Sequence, residues 1–414
     1  MATDQALADE LVSTIKDWVD RDVIPNVAEF ELNDEFPQEM FEQMCDFGLF
    51  GSTIDEKYGG LGIDITTYAR IVEELSRGFM SLAGILNTHK IGVTMIDRYG
   101  TEEQKEKFLP RMCDGSFRAA FSLSEPDAGS DTGALRCKAE KDGDEWVING
   151  TKMWVTNGTR SSLVMLLART PDDRITCFLV EKEPGENFEG IKVSKKIDKL
   201  GYRGLETVEM SYVDHRVPSA NVLGGEDGIG NGRKYALSAL ELGRINIAAR
   251  AVGVAQAAFD SAMKYAQQRE TFGRPIFEHQ AVQFMLAEMA TKLQASRLMT
   301  FDAARRADAG ERVDMEAGMA KFFASEAAFE IAMSSMRIHG GNGYTTEFPV
   351  ERYLRDTPLM IIGEGTSEIQ NMVIARKLLE RYPAERVATG QMNTELGERL
   401  YWGMLCRVEK ILIF

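Results

Sequence analysis

The spacing of hydrophobic residues changes twice along the chain. From Gln5 to about Cys113, apolar residues recur at intervals of three and four, as in ALADELVSTIKDWV, which predicts helices. From Arg118 to about Gly232 the interval becomes two, in short runs rich in β-branched and aromatic residues that Gly, Asp, Asn and Pro separate. Beyond Gly232 the helical interval returns. This order predicts helices, then strands, then helices, and not the alternating strands and helices of a doubly wound nucleotide-binding fold.

Individual elements follow from these patterns. The runs FRAAFSLS, EWVINGTKMWVTNG, SLVMLLART, ITCFLVEK and TVEMSYV predict an antiparallel β domain, in which KDGDEW is a hairpin turn. Four helical stretches, 233–268, 278–308, 314–339 and 366–380, predict an antiparallel bundle. The predicted fold class is α+β, with an all-α domain at 1–117, a β domain at 118–232, a helical bundle at 233–383 and a tail of unknown structure at 384–414.

Composition narrows the classes of partner. With 64 acidic and 48 basic residues among 414, the net charge is −16, which argues against nucleic-acid binding through phosphate contacts. Apolar stretches such as 163–168 are far shorter than the roughly 20 residues of a membrane-spanning helix, so no membrane insertion is expected. The acidic opening MATDQALADE lacks the basic residues of a targeting peptide, and we expect a cytoplasmic protein.

The sequence offers no motif for metal or hydrolytic chemistry. The five cysteines contain no CxxC pair, the four histidines are dispersed, and neither HExxH nor GxSxG occurs. We therefore predict no metal site. The segment GIGNG at 228–232 follows a loop and has Arg233 where a dinucleotide-binding fingerprint needs its third glycine, so a turn is the better interpretation.

Two polar motifs of the predicted β domain could bind a flat ring. Residues 122–131, SLSEPDAGSD, supply hydroxyls and free backbone N–H groups on a loop. In MWVTNG, Trp154 and Thr156 are two residues apart, so both would project from one face of a strand. A buried tryptophan beside a satisfied threonine would give the same pattern, and composition alone leaves the two interpretations equal.

Five motifs together carry a resemblance to a known family. SEPDAGSD, KMWVTNG, QRETFGRPIFEHQ, HGGNGYTTEFPVERYLRD and GEGTSEIQ, in this order, resemble the acyl-CoA dehydrogenase family of flavoproteins over about residues 6–382. The resemblance implies a C-terminal four-helix bundle and a homotetramer, a dimer of dimers, with FAD at a subunit interface. It also implies an acyl-CoA substrate and an electron-transfer flavoprotein as partner.

The resemblance further implies which residues hold FAD. Ser124 would lie at the pyrimidine edge of the flavin, Trp154 against the ring and Thr156 near N5. Arg269 would contact the FAD of the neighbouring subunit, because a guanidinium suits a pyrophosphate. The full implied set is Phe121, Leu123, Ser124, Ser130, Trp154, Thr156, Arg269, Thr271, Phe272, Gln280, Arg337, Gly340, Gly341, Thr366 and Glu368.

Glu364 matches the catalytic base of the family. It stands between two glycines after an apolar run, and an apolar setting would raise the pKa of the carboxylate toward the operating pH. The resemblance implies that Glu364 removes the α-proton of the thioester while a hydride leaves Cβ for the flavin, giving a trans-2-enoyl-CoA. The implied substrate-binding residues are Ser130, Arg244, Gly363 and Gly365.

Some family members carry the base on an earlier helix. That position aligns with Gly243 in this chain, so the chain follows the commoner arrangement, and Glu241 is the rival to test against Glu364. Members acting on medium chains often have tyrosine before the base. Here Gly363 takes its place, which could admit a branched, cyclic or aromatic acyl group unless a neighbouring side chain fills the gap.

Two further questions stay open at the level of sequence. Arg77, His89 and Lys90 fall in the region that lines the acyl pocket of relatives, where a cation could pair with a distal carboxylate, although a surface position is the commoner explanation. The same fold could also serve a flavin oxidase, monooxygenase or desulfinase, or a non-catalytic assembly protein. The retained Glu364 and the intact motifs favour dehydrogenation.

Overall fold

The first region of the fold is helical, as predicted. In the computed structural model, which describes residues 3–383, a π-helical turn at Val19–Val23 extends the first helix. Thr101 and Gln104 cap the last helix of the region reciprocally, which fixes where that helix begins. The helices are α1 Gln5–Trp18, α2 Val27–Asn33, α3 Gln38–Asp46, α4 Ile65–Gly78, α5 Met80–Tyr99 and α6 Glu102–Cys113.

The middle region is a β-sheet that contains all five predicted runs. Its strands are β1 Ala119–Ser122, β2 Lys138–Asp142, β3 Glu145–Thr156, β4 Leu163–Arg169, β5 Ile175–Glu181, β6 Asn187–Phe188, β7 Ile191–Val193 and β8 Thr207–Pro218. The order in the sheet is β1-β4-β2-β3-β8-β7-β6, and β5 pairs with β4. KDGDEW forms the predicted turn, because Asp142 pairs with Glu145 across two residues.

The sheet is mixed, and in this respect the prediction of a purely antiparallel domain was wrong. Most strand pairs are antiparallel, but β1 runs parallel to β4, with Ala119 opposite Leu163. The single pair that links β2 to β4 is also parallel. Side chains alternate between the two faces of a strand in both arrangements, so the period of two carries no information about strand direction.

The last region is the predicted helical bundle with one additional helix. The long helices are α7 Gly232–Gln268, α8 Gln280–Asp308 and α9 Asp314–His339, followed by α10 Val350–Ile362 and α11 Ser367–Arg381. The prediction lacked α10, whose Pro358 interrupts the helical sequence pattern. A hairpin of β9 Glu270–Thr271 and β10 Arg274–Pro275 joins α7 to α8.

Helix α5 links the sheet to the bundle. It contacts β1 on one side and α7 on the other, and it is buried from Met80 to Ile96. Close approach of the helices depends on small residues at some crossings. At Gly253 of α7, for example, a Cβ would collide with the carbonyl oxygen of Glu73 in α4.

Contacts divide the chain into two units. The first unit ends at Ile374, and the second begins at Ala375, of which residues 375–383 are described. The domain ranges predicted above stay predictions, and the predicted tail at 384–414 lies outside the described residues. Between residues 3 and 383, no helix is long and apolar enough to cross a bilayer.

Candidate active site

Glu364 lies in the turn between α10 and α11, which we call the base loop (residues 363–366). Its backbone has a φ of +53°, a conformation that residues other than glycine rarely adopt, and Gly365 follows with a φ of +88°. Strained backbone of this kind persists only where the surroundings hold it, and it is concentrated at functional sites. The base loop is therefore a place to look for groups that hold it.

Two buried side chains hold the base loop. Lys321 of α9 donates from Nζ to the carbonyl oxygens of Ile361, over 3.2 Å, and Gly365, over 2.7 Å. Gln370 of α11 donates from Nε2 to the same Gly365 oxygen over 3.0 Å. Burial lowers the pKa of Lys321 to about 8, against the opposing effect of the Glu364 carboxylate. These bonds fix the backbone on both sides of Glu364.

The carboxylate of Glu364 points at two other helices. Asn87 of α5 donates from Nδ2 to Oε1 of Glu364. On α7, a Cβ built at Gly243 would lie 2.2 Å from Oε2, so only glycine leaves room for the carboxylate there. Oε2 is buried and has no hydrogen-bond partner among the described residues. One carboxylate oxygen is thus held, and the other is available to accept a proton.

The electrostatic setting of Glu364 suits a general base. Burial raises the pKa of its carboxyl group, and Arg250 is the strongest opposing influence, followed by the Asn87 hydrogen bond and by Lys321 and Arg244. A raised pKa makes the carboxylate a stronger base, while the cations keep it ionised. Arg244, a predicted substrate residue, is buried on α7 next to Gly243.

A small cavity lies beside residues that contact the carboxylate. Asn87 and Gly243, which both approach Glu364, belong to its lining. The rival Glu241 has its carboxyl group against Asp314, and burial together with that neighbour raises its pKa. Because Oε2 of Glu364 has no partner among the described residues, whereas the Glu241 carboxyl group is engaged with Asp314, the geometry supports Glu364 over Glu241 as the base. The lining consists of Ile65, Tyr68, Asn87, Lys90, Ile91, Thr94, Ala239, Leu242 and Gly243.

The three basic residues singled out near the acyl pocket have different positions. Arg77 forms ion pairs with Asp20, at 2.7 Å, and Glu74, at 2.8 Å. His89 is fully buried, accepts from the backbone N–H of Ala119 over 3.1 Å, and burial lowers its pKa to about 3. Lys90 alone of the three lines the cavity.

The two motifs with ring-binding potential lie side by side. The backbone N–H of Met153 donates to the carbonyl oxygen of Ser124 over 2.9 Å. Trp154 is 58% exposed with a φ of +61°, and the pairing of β3 with β8 is irregular at this point, so the regular alternation expected of the strand is interrupted. Val155 is buried, whereas its two neighbours, Trp154 and Thr156, are exposed and half-buried, respectively, and face away from the core. This exposure excludes the interpretation of Trp154 as a buried core residue.

A second group of predicted FAD residues lies at one end of the bundle. Phe272, at the tip of the β9–β10 hairpin, is 96% exposed and has a φ of +52°. Arg269 and Gln280 are exposed on either side of it, and the hydroxyl of Thr271 lies 3.1 Å from Nε2 of His279. The ring of Phe272 meets that of His279 edge-on, with 5.9 Å between the centroids, and nearly all of its apolar surface is left open to a contact from outside the chain.

The C-terminal end of α9 adjoins this second group. Arg337, Gly340 and Gly341 are exposed, and a Cβ at either glycine would meet nothing within 4 Å. Asn342 donates from Nδ2 to the hydroxyl of Tyr265, over 3.0 Å, which joins the segment to the end of α7. The free space above the glycines can accommodate a group from outside the chain.

The remaining predicted residues lie on β1, in the loop that follows it, and at the start of α11. Phe121 is half-buried on β1, and Leu123 is buried just beyond that strand. Ser130 is exposed in the loop that follows β1. Thr366 is half-buried in the base loop, and Glu368 is exposed in the first turn of α11.

Eight of the 15 predicted FAD residues form two groups: a β-domain group (Ser124, Trp154, Thr156) and a bundle-end group (Arg269, Phe272, Gln280, Gly340, Gly341). No hydrogen bond or ring contact joins the two groups within the described part of the chain. Exposed aromatic rings, hydroxyls and an arginine fit the flat ring and the pyrophosphate of FAD. The exposure of Trp154 and Phe272 is the observation that supports this fit.

Sequence reasoning missed four residues around the base: Asn87, Arg250, Lys321 and Gln370. A signal existed for Lys321, because it is the single charge in the apolar run AGMAKFFA, where a solvated lysine is not expected. Arg250 stands similarly in INIAARAVGV. Asn87 and Gln370 carry no comparable signal, since single amides are common on helices.

Comparison with known proteins adds an independent result. Residues 6–116, 120–214 and 230–379 match the N-terminal, middle and C-terminal domains of acyl-CoA dehydrogenase. An acyl-CoA dehydrogenase of Bacillus subtilis (strain 168) is 40% identical over 370 residues, 88% of this chain and 96% of the relative. The structure of butyryl-CoA dehydrogenase from Megasphaera elsdenii is 33% identical, with a TM-score of 0.87 over 92% of this chain and 100% of that chain. A glutaryl-CoA dehydrogenase from Mycobacterium smegmatis in complex with FADH2 is 29% identical, with a TM-score of 0.85 over 92% and 96%.

Proposed function

Because the chain belongs to the acyl-CoA dehydrogenase family, we propose that it is an FAD-dependent enzyme that converts an acyl-CoA thioester to the trans-2-enoyl-CoA, with Glu364 as the base. The observation that carries this proposal is the setting of Glu364. Its carboxylate lies against Asn87 and Gly243, which line a cavity, one of its oxygens is buried with no partner among the described residues, and buried donors hold its loop.

Three residues of the site have separate roles in proton removal. Asn87 holds Oε1 of Glu364, so that Oε2 takes the proton from Cα of the thioester. The raised pKa of Glu364 favours this transfer, and the cation of Arg250 keeps the carboxylate ionised beforehand. Bound FAD would supply the acceptor for the hydride that leaves Cβ, and an electron-transfer flavoprotein would be the next electron acceptor.

For the cofactor we infer two contributions from the protein. The β-domain group would hold the flavin ring, and the bundle-end group of a neighbouring subunit would hold the pyrophosphate, as expected in a homotetramer. The exposure of Trp154 and Phe272 in the single chain supports this inference, because burying both against a cofactor and a second subunit would remove large apolar surfaces from water.

An anaerobic titration tests the proposal. The flavin absorbance of the purified protein is followed while a panel of acyl-CoA thioesters is added to the wild type, to Glu364→Gln and to Glu241→Gln. We expect bleaching in the wild type and in Glu241→Gln. In Glu364→Gln we expect thioester binding with bleaching slowed by at least about 10³-fold, the upper part of the range for general-base catalysis.

The titration separates the possible errors. Purified protein without flavin would refute the cofactor assignment. Equal bleaching rates in Glu364→Gln and the wild type would refute the assignment of the base, and loss of activity in Glu241→Gln alone would transfer that role to Glu241.

A further inference from the structure

The cavity beside the base has an unusual lining for a hydrocarbon chain. Three polar side chains of α5, Asn87, Lys90 and Thr94, all line it, and all three are at most 5% exposed. They recur at intervals of three and four, so they form one stripe along the helix. Tyr68 of α4 adds a hydroxyl to the same lining. Pockets for unsubstituted acyl chains are expected to be apolar, since a buried polar group without a partner is costly.

Lys90 is the exceptional member of this stripe. Its ammonium contacts the hydroxyl of Thr53 and lies 5.7 Å from the centre of the Tyr68 ring. No carboxylate lies within ion-pair distance of it in the described part of the chain. Burial lowers the pKa of Lys90 to about 8, with Asp97 and Cys113 acting in the opposite direction. A buried cation without an anionic partner is a site at which an anion would be stabilised.

The hydroxyl of Tyr68 can donate a second hydrogen bond to an anion beside Lys90. It accepts a hydrogen bond from Nδ2 of Asn246 over 2.8 Å, and no other hydrogen bond of this hydroxyl occurs among the described residues. Its own hydrogen is therefore available to donate. Tyr68 and Lys90 together offer two donors to one group in the cavity, and a carboxylate accepts both better than a neutral oxygen does.

Based on the proposed function, we propose that the substrate is a short dicarboxylyl-CoA thioester, whose distal carboxylate binds the Lys90 ammonium and the Tyr68 hydroxyl. Helix geometry sets the length. Asn87 contacts Glu364, and Lys90 lies one turn further along α5, about 4.5 Å along the axis. The carboxylate therefore lies only a few carbon atoms beyond the Cα from which Glu364 takes the proton.

Selectivity between matched thioesters tests this assignment. The kcat/KM values are measured for succinyl-, glutaryl- and adipyl-CoA and for butyryl-, pentanoyl- and hexanoyl-CoA, which have the same chain lengths but no distal carboxylate. The proteins are the wild type, Lys90→Met, Lys90→Arg, Tyr68→Phe and the control Lys182→Met. Lys182 is also buried, but it donates to backbone carbonyl groups of the β domain, such as that of Ser161 at 2.8 Å.

We expect the wild type to prefer one dicarboxylyl thioester over its neutral counterpart by at least about 100-fold, the effect of pairing a buried charge. Lys90→Met should remove most of this preference, Tyr68→Phe should reduce it about tenfold, and Lys90→Arg should retain part of it. In Lys182→Met the preference should be unchanged. A ratio measured on one preparation does not depend on the fraction of folded enzyme.

Three results would overturn the assignment. If the wild type uses neutral thioesters as well as their dicarboxylyl counterparts, the cavity does not select a carboxylate. If Lys90→Met keeps the wild-type preference, Lys90 serves only to bridge to Thr53. Neither result affects the proposed dehydrogenation. If no thioester of either series reduces the flavin, the substrate class fails, and the titration with the wider panel of thioesters decides the proposed function separately.

Discussion

Gly243→Ala is expected to stabilise the protein and to inactivate it. The residue lies inside α7, where alanine is a better helix former than glycine by about 1 kcal/mol. The added methyl group would, however, occupy space that the Glu364 carboxylate now fills. The two effects have opposite signs and separate observables, which makes the prediction specific.

The size of the catalytic effect follows from the geometry. The new Cβ would lie 2.2 Å from Oε2, whereas ordinary contact begins at 3.4 Å, so the carboxylate must move by about 1.2 Å. A displacement of about 1 Å costs roughly 10²-fold in rate for a group that must meet a reacting atom. We therefore expect flavin reduction to slow about 100-fold, while the free energy of unfolding rises by up to about 1 kcal/mol.

Gly318→Ala is the matched control. Gly318 also lies inside a helix, α9, but a Cβ there would be no closer than 3.5 Å to Gln370 and its neighbours. This variant should show the stability gain without the loss of activity. Stopped-flow flavin reduction and urea unfolding are measured on both variants. Wild-type flavin reduction in Gly243→Ala would show that the Glu364 carboxylate does not work from the position described here.

Three further predictions concern charges near the base and in the sheet. Lys321→Met removes the hydrogen bonds of that side chain to Ile361 at the end of α10 and to Gly365 in the base loop, so kcat should fall about 10- to 100-fold with little change in KM; an effect on KM alone would contradict a positioning role. Burial raises the pKa of Glu364 and Arg250 most strongly opposes the rise, so Arg250→Gln should raise that pKa further. Because the base must be ionised, the acid limb of the kcat/KM profile should move to higher pH, and a shift to lower pH would refute the electrostatic argument. Lys152→Met would leave the Glu125 carboxylate, now 2.8 Å from the Lys152 ammonium, buried without its ion pair, so urea unfolding should show a loss of about 3–5 kcal/mol, and an unchanged midpoint would contradict this reasoning.

The sequence by itself determined the secondary structure and the identity of the candidate functional side chains. Hydrophobic intervals predicted the helix, sheet, helix order, and KDGDEW predicted its hairpin, because both depend on residues that are near one another in the chain. The five motifs indicated the family, and the run around Glu364 indicated a carboxylate in an apolar setting. The alternation of side chains could not show that β1 is parallel to β4, and the short strands β2, β6 and β7 were missed.

Only the tertiary structure decided what surrounds the base. Asn87 and Glu364 are 277 residues apart in sequence, and no local pattern brings them together. The need for glycine at position 243, the grip of Lys321 on the base loop and the place of Lys90 in the cavity likewise arise where α5, α7, α9 and the base loop meet. Periodicity reports which face of an element is buried, whereas the partner of that face is set by how all the elements pack at once.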